Sequence, residues 1–155
     1  MGRKKVGLAL SSGAARGAAH VGVLAILEKR GIPIDMIAGT SIGAIVGAFY
    51  AGGKDISQIE RAVMSLNRRQ MMSLADLTIP TRGFIKGKKI TGWLRSVIGD
   101  IDFEGLKIPF ACVATDINTC REVVIQQGSV VEAVRASVSM PVISVSYTHL
   151  TLPTN

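Results

Sequence analysis

Apolar and polar positions fall into blocks of two lengths along the chain. Val6 to Leu10 is a short apolar run that stops at Ser11-Ser12-Gly13 and reads as a buried strand. Arg16 to Lys29 carries Val21, Leu24, Ile26 and Leu27 on a helical repeat and closes on Glu28, Lys29 and Arg30. Gly31 and Pro33 then end it, as C-terminal punctuation does. Ile34 to Ala38 predicts a second strand, Gly39 to Gly43 a tight turn, and Ile42 to Ala51 a second helix stopped by Gly52-Gly53. Ile56 to Leu66 is an amphipathic helix opened by Asp55 or Ser57. Residues 67–90 are basic and read as irregular, broken by Pro80 and Gly83. Ile90 to Ile98 predicts a short helix, Ile108 to Thr115 and Val123 to Gln126 two strands, and Val130 to Ser137 a final helix. This alternation predicts an α/β fold, with a mostly parallel sheet flanked by helices.

Length and composition narrow the class. A chain of 155 residues is one domain, and 48% hydrophobic against 19% charged residues excludes a disordered chain. The two cysteines, Cys112 and Cys120, make neither a disulfide scaffold nor a zinc cluster, so a reduced, cytoplasmic setting is expected. No His, Cys, Asp or Glu cluster has metal-ligand spacing, and no cofactor is expected.

Charge is uneven. Between residues 61 and 95, Arg61, Arg68, Arg69, Arg82, Lys86, Lys88, Lys89 and Arg95 face a single acid, Asp76. That excess equals the whole chain's +7. Such a segment suits an anionic surface, phospholipid or nucleic acid, or is a solvated face. Residues 36–53 carry no charge and include the pair Gly43 and Gly47 at GxxxG spacing, but five glycines and the early Thr40 and Ser41 favour a buried helix over a membrane span.

Two motifs carry chemistry. Gly39-Thr40-Ser41-Ile42-Gly43 is G-x-S-x-G between a predicted strand and a predicted helix. In that context the serine sits on a sharp turn that needs small neighbours and lifts Oγ into a cleft at a helix N-terminus. Ser41 is the candidate nucleophile, with Gly39, Thr40, Ile42 and Gly43 as its elbow. Its bland counterpart is a Gly/Ser-rich helix start without chemistry. The second motif is Ser12-Gly13-Ala14-Ala15-Arg16-Gly17, small residues just where the first helix begins. The amides of Gly13, Ala14 and Ala15 suit an oxyanion cradle, with Arg16 steering an anionic headgroup or stiffening the loop. A phosphate-binding turn of a nucleotide module is the competing reading. It lacks the Gly-Lys-[Ser/Thr] ending of a P-loop, and Ser12 and Ala14 replace two glycines of a dinucleotide fingerprint.

Taken together, residues Leu8 to Leu24 and Gly39 to Gly43 resemble the patatin-like phospholipase family, and Val113-Ala114-Thr115-Asp116 and Arg135 to Pro141 are similar to its bacterial members. The resemblance spans roughly residues 5 to 141. It implies a three-layer α/β/α fold and hydrolysis of a lipid acyl ester through an acyl-Ser41 intermediate. It further implies a Ser-Asp dyad, with Gly13, Ala14, Ala15 and Arg16 forming the oxyanion loop. The implied partners are a lipid or acyl-ester substrate and, peripherally, the inner face of an anionic membrane; no nucleic acid is expected. The alternative is a non-catalytic basic protein that binds anionic membrane surfaces.

The family's Asp stands in a D-G-G or D-G-A motif, and no such motif occurs in this chain, which has no acid after Glu132. Residues 142–155 read as a tail departing from the pattern of a partial domain over 1–141, so the fold is expected to be incomplete at its C-terminus. Other candidate bases have other places in the chain. His20 suits packing or capping, Asp116 loop hydrogen bonding, and His149 lies in the departing tail. Cys112 is expected in the core.

Overall fold

The computed structural model describes residues 2–66 and 83–139. It forms an α/β fold around a four-stranded sheet. The elements in chain order are β1 (Gly7–Leu10), a 3-10 turn (Ala14–Gly17), α1 (Ala18–Lys29), β2 (Met36–Thr40), α2 (Ile42–Ala51) and α3 (Ile56–Ser65). After residues 67–82 come α4 (Gly83–Ile98), a short 3-10 turn (Phe103–Gly105), β3 (Phe110–Asp116), β4 (Arg121–Ile125) and α5 (Val130–Val138). The sheet order is β1-β2-β3-β4. β1, β2 and β3 run parallel, with Leu10 opposite Gly39 and Gly39 opposite Cys112. β4 closes the edge as an antiparallel hairpin partner of β3. The sheet is thus mixed and mostly parallel, as expected.

One face of the sheet is dry. Leu10, Ile37, Phe110, Cys112 and Ile125 lie on it and are buried. α2 covers this face so closely that a β-carbon on Gly47 would meet Phe110 at 3.0 Å and Ile37 at 3.1 Å. Nine of the ten residues of α2 are buried, which explains its uniform hydrophobicity. α5 lies beside it over β3, where the Cys112 thiol meets the Ala133 carbonyl at 3.3 Å. Right-handed crossovers between neighbouring parallel strands put α1 on the same face. The opposite face carries Ala9, Met36, Ala38, Ala111, Val113 and Val124, with Met36 45% and Val124 49% exposed. A second helical layer on that side, implied by a three-layer fold, is not among the described residues.

Several boundaries differ from expectation for physical reasons. The last basic helix begins at Gly83, not Ile90, so 83–89 is helical rather than irregular. Its C-terminal half supplies the anchors: Leu94 is fully buried and Trp93 packs on Phe49 with ring centroids 5.5 Å apart. β3 starts at Phe110, not Ile108, because the amides of Lys107 and Ile108 both turn to the Ala51 carbonyl, capping α2, and Pro109 has no N–H. β2 runs through Thr40, two residues into the expected turn. β4 begins two residues early, at exposed Arg121. The helix expected from Arg16 opens instead as a 3-10 turn before α1. α3 uses Asp55 as its cap: its carboxylate accepts from the Gln58 amide at 2.7 Å while the Gln58 side chain reaches back to the Asp55 amide. The charge-free stretch 36–53 divides between β2 and α2, and no helix among the described residues is long and apolar enough to cross a membrane.

Candidate active site

Ser41 occupies the single residue between β2 and α2. Its backbone sits at φ 54, ψ −119, a region that residues with a side chain seldom adopt. Serine is a favoured helix cap, yet the Ser41 side chain makes no capping bond. Its carbonyl takes that duty instead, accepting the amides of Ala44 at 2.9 Å and Ile45 at 3.1 Å. The hydroxyl is therefore not spent on the helix, and it stands at the carboxyl end of the parallel strands, where open α/β sheets place their sites.

The flanking glycines are required by contact. A β-carbon on Gly39 would lie 2.5 Å from the Gly43 carbonyl oxygen and 2.7 Å from the Ala44 α-carbon. One on Gly43 would fall 2.6 Å from the Leu10 carbonyl carbon and 2.7 Å from the Ser11 oxygen. The first pair lets the chain reverse from strand into helix; the second lets the loop after β1 lie across the start of α2. Thr40 is half-buried at the end of β2, and Ile42 is buried.

That loop is the second motif. Gly13 and Ala14 both have positive φ, 156 and 47. The Arg16 amide donates to the Gly13 carbonyl at 3.0 Å and closes the turn. Arg16's backbone donor is therefore occupied, while its side chain is exposed. Gly17 follows, and a β-carbon there would lie 2.6 Å from Ile42 Cγ2. The structure thus brings residues 10–17 and the elbow 39–43 together at the carboxyl end of the parallel strands.

His20 points back to this loop. Its Nε2 lies 2.8 Å from the Ser11 carbonyl oxygen. A carbonyl only accepts, so Nε2 carries the proton and His20 ties α1 to the loop. Asp116 stands at the end of β3, three residues past Val113, which pairs with Thr40. Its carboxylate accepts the Asn118 amide at 2.8 Å and the Thr119 amide at 3.4 Å. The Asn118 amide first, and then the Thr119 hydroxyl, hold it below the usual carboxylate range. Cys112 is buried in the core, and burial pushes its thiol up to about 12. Cys120 is exposed in the β3–β4 turn. Beside α5, Arg95 reaches Asp100 and Glu132, each at 3.4 Å. The remaining cations of the 61–95 segment lie in 67–82 or have undescribed side chains, apart from exposed Arg61. His149 and the tail lie outside the described residues. Among the described residues no three His, Cys, Asp or Glu gather as a metal site.

One contact was not legible beforehand. The Ser41 amide donates to Ser137 Oγ at 2.8 Å, and that hydroxyl lies 2.5 Å from the Val113 carbonyl. The only sequence signal was Ser137's place in the segment Arg135 to Pro141.

The chain is similar to several known proteins. An uncharacterized NTE family protein of Mycobacterium tuberculosis is 39% identical over 137 residues, covering 88% of this chain and 38% of the relative. Neuropathy target esterase sws of Drosophila persimilis is 34% identical over 138 residues, 87% of this chain and 10% of that protein. The chain therefore spans well under half the length of these relatives. Among solved structures, ExoU of the Pseudomonas aeruginosa type III secretion system, crystallised with SpcU, superimposes with a TM-score of 0.66 at 17% identity, over 90% of this chain and 39% of that one. VipD of Legionella pneumophila gives 0.61 at 16% identity, over 92% and 44%. At such identities the likeness is one of fold. Residues 8–151 match the family described as patatin-like phospholipase, an interval that reaches into the stretch expected to depart from the pattern. With nearly the whole chain inside that match, the protein belongs to the patatin-like phospholipase family.

Proposed function

We propose that this chain carries the nucleophile half of a lipid acyl-ester hydrolase. The observation that supports this most is the Ser41 backbone at φ 54, ψ −119, pinned between a parallel strand and a helix, with its hydroxyl free of the cap. In the proposed reaction Ser41 Oγ gives its proton to the base and attacks the ester carbonyl. The ester C–O bond breaks and the alcohol leaves with that proton. Water then cleaves the acyl-serine to release the acid and restore the hydroxyl. The oxyanion would meet the amide of Ile42 at the start of α2 and those of Gly13, Ala14 and Ala15 in the facing loop. Arg16, exposed beside the loop, would steer an anionic headgroup. The family membership and the esterase named among the relatives support a lipid or other acyl ester as substrate.

The base is the open part of the pairing. Asp116 is committed to its own turn and His20 to the Ser11 carbonyl. The dyad therefore needs an Asp from a D-G-G or D-G-A segment, which the 155 residues do not contain. Peripheral contact with an anionic membrane, at the cytoplasmic face, belongs to the same proposal through the basic segment 61–95.

A fluorophosphonate probe tests the proposal, read by intact mass and peptide mapping. Labelling at Ser41 that vanishes in Ser41→Ala supports it. A folded chain that stays unlabelled, but gains labelling when a family-like segment carrying Asp-Gly-Gly is appended, supports the dyad. Label on Ser41→Ala at the wild-type level, or none even with the added segment, overturns the hydrolase reading. Anionic-vesicle binding retained by a chain without ester turnover would favour the non-catalytic binder instead.

A further inference from the structure

Ser137 lies on α5, 96 residues after Ser41. In the parallel ladder the Ile37 amide donates to the Pro109 carbonyl at 2.9 Å. Parallel strands repeat that bond every second residue, so Ser41 is in step to donate to the Val113 carbonyl. It does not. The Ser137 hydroxyl stands between them, accepting the Ser41 amide at 2.8 Å and lying 2.5 Å from the Val113 oxygen. The carbonyl can only accept, so the single hydroxyl proton points to β3 and a lone pair faces Ser41.

From this geometry we infer that Ser137 is a positioning residue for Ser41. Its hydroxyl is an inserted rung that wedges β2 from β3 where the chain turns, and it holds the strained elbow in place. This rests on the reading of Ser41 as nucleophile. α5 can hold Ser137 there because the helix is packed into the core. Val130 and Val134 are fully buried, and the Cys112 thiol meets the Ala133 carbonyl one turn before Ser137. The inserted rung has a chemical consequence. The Ser41 amide is engaged behind the elbow, so it is not an oxyanion donor, and that duty falls to Ile42 and the loop after β1.

The test compares Ser137→Ala with Ser137→Thr, which keeps the hydroxyl, and with Val130→Ala, which loosens the same helix without touching the elbow. In Ser137→Ala the maximal rate of fluorophosphonate labelling should fall by about tenfold or more, because small misplacements of a reacting group are that costly. The probe concentration for half-maximal rate should stay within about twofold. Threonine should restore the rate, and Val130→Ala should lower thermal stability with little loss of maximal rate. Equal rate losses in Ser137→Ala and Val130→Ala, or no rescue by threonine, overturn the inference. A second measurement does not depend on chemistry. Hydrogen exchange at the Ser41 amide should be slow in wild type and Ser137→Thr and at least about tenfold faster in Ser137→Ala; fast exchange in wild type overturns the inserted rung. A protected Ser41 amide in a chain that stays unlabelled even with the Asp-Gly-Gly segment appended removes the nucleophile reading while the bond stands.

Discussion

Gly43 and Leu10 touch backbone to backbone. A β-carbon at 43 would sit 2.6 Å from the Leu10 carbonyl carbon, closer than nonbonded carbons approach. Neither side of this contact is a flexible side chain, so relief requires moving β1 or α2. Gly43→Ala should therefore destabilise the chain by about 3 kcal/mol, the upper range for overpacking a filled site. Urea unfolding followed by circular dichroism measures this. A cost below about 1 kcal/mol would mean that the loop after β1 does not lie over the start of α2.

Gly17 makes the complementary contact, but with a side chain. A β-carbon there would lie 2.6 Å from Ile42 Cγ2 and 2.9 Å from Ile42 Cβ. Gly17→Ala should cost about 2 kcal/mol, and Ile42→Ala about 3 kcal/mol for its lost buried volume. The double variant should be less destabilised than the sum by at least about 1 kcal/mol, because the smaller residue makes room for the added methyl. Additive values in a double-mutant cycle would show that the two residues are not in contact.

How much of this was written in the sequence depends on what fixes each element. α2 was legible to the residue, since an unbroken apolar run between Ser41 and Gly52 has only one place to go, the centre of the core. The Gly39 side of the turn was legible because its contacts, with Gly43 and Ala44, lie within five residues, whereas the contact of Gly43 with Leu10 spans more than thirty positions and left no local signal. β3 was misplaced by two residues because the bonds that displace its start come from Ala51, more than fifty positions away. α4 was cut short because Gly83, Gly87 and the Lys86, Lys88, Lys89 run lack an apolar repeat, and its anchors Trp93 and Leu94 lie beyond them. Ser137 was invisible as a partner of Ser41 for the same reason. Nothing local to either residue records a bond across 96 positions.

The two thiols should separate cleanly. Cys112 is buried, bonded to the Ala133 carbonyl, and pushed up to about 12, so almost none of it is thiolate at neutral pH. Cys120 is exposed at φ 54 in the β3–β4 turn. Native protein treated with iodoacetamide at pH 7.5 should gain one adduct, mapped to Cys120, and a second only in denaturant. Rapid modification of Cys112 in the native state would contradict the packing of α5 on β3.

Acid should loosen the start of the sheet through Asp35. Its carboxylate accepts both Arg3 guanidinium nitrogens, at 2.6 and 2.7 Å, and the Val6 amide at 2.7 Å. The Arg3 bond first, and then the Val6 bond, lower its pKa from 3.8 to about 2. The folded state thus holds this proton more weakly than the unfolded chain does. The stabilisation is fully present above about pH 4, where both states are ionised, and is lost as pH falls toward 2. Asp35→Asn should flatten that part of the curve of urea midpoint against pH between 2 and 5. Salt should weaken only the Arg3 component, because that pair is partly exposed while the Val6 bond is local to the backbone. Arg3→Ala should accordingly remove the salt dependence but leave part of the acid dependence in place. If Arg3→Ala and Asp35→Asn gave the same curve, the Val6 bond would contribute nothing and the clamp would be an ion pair alone.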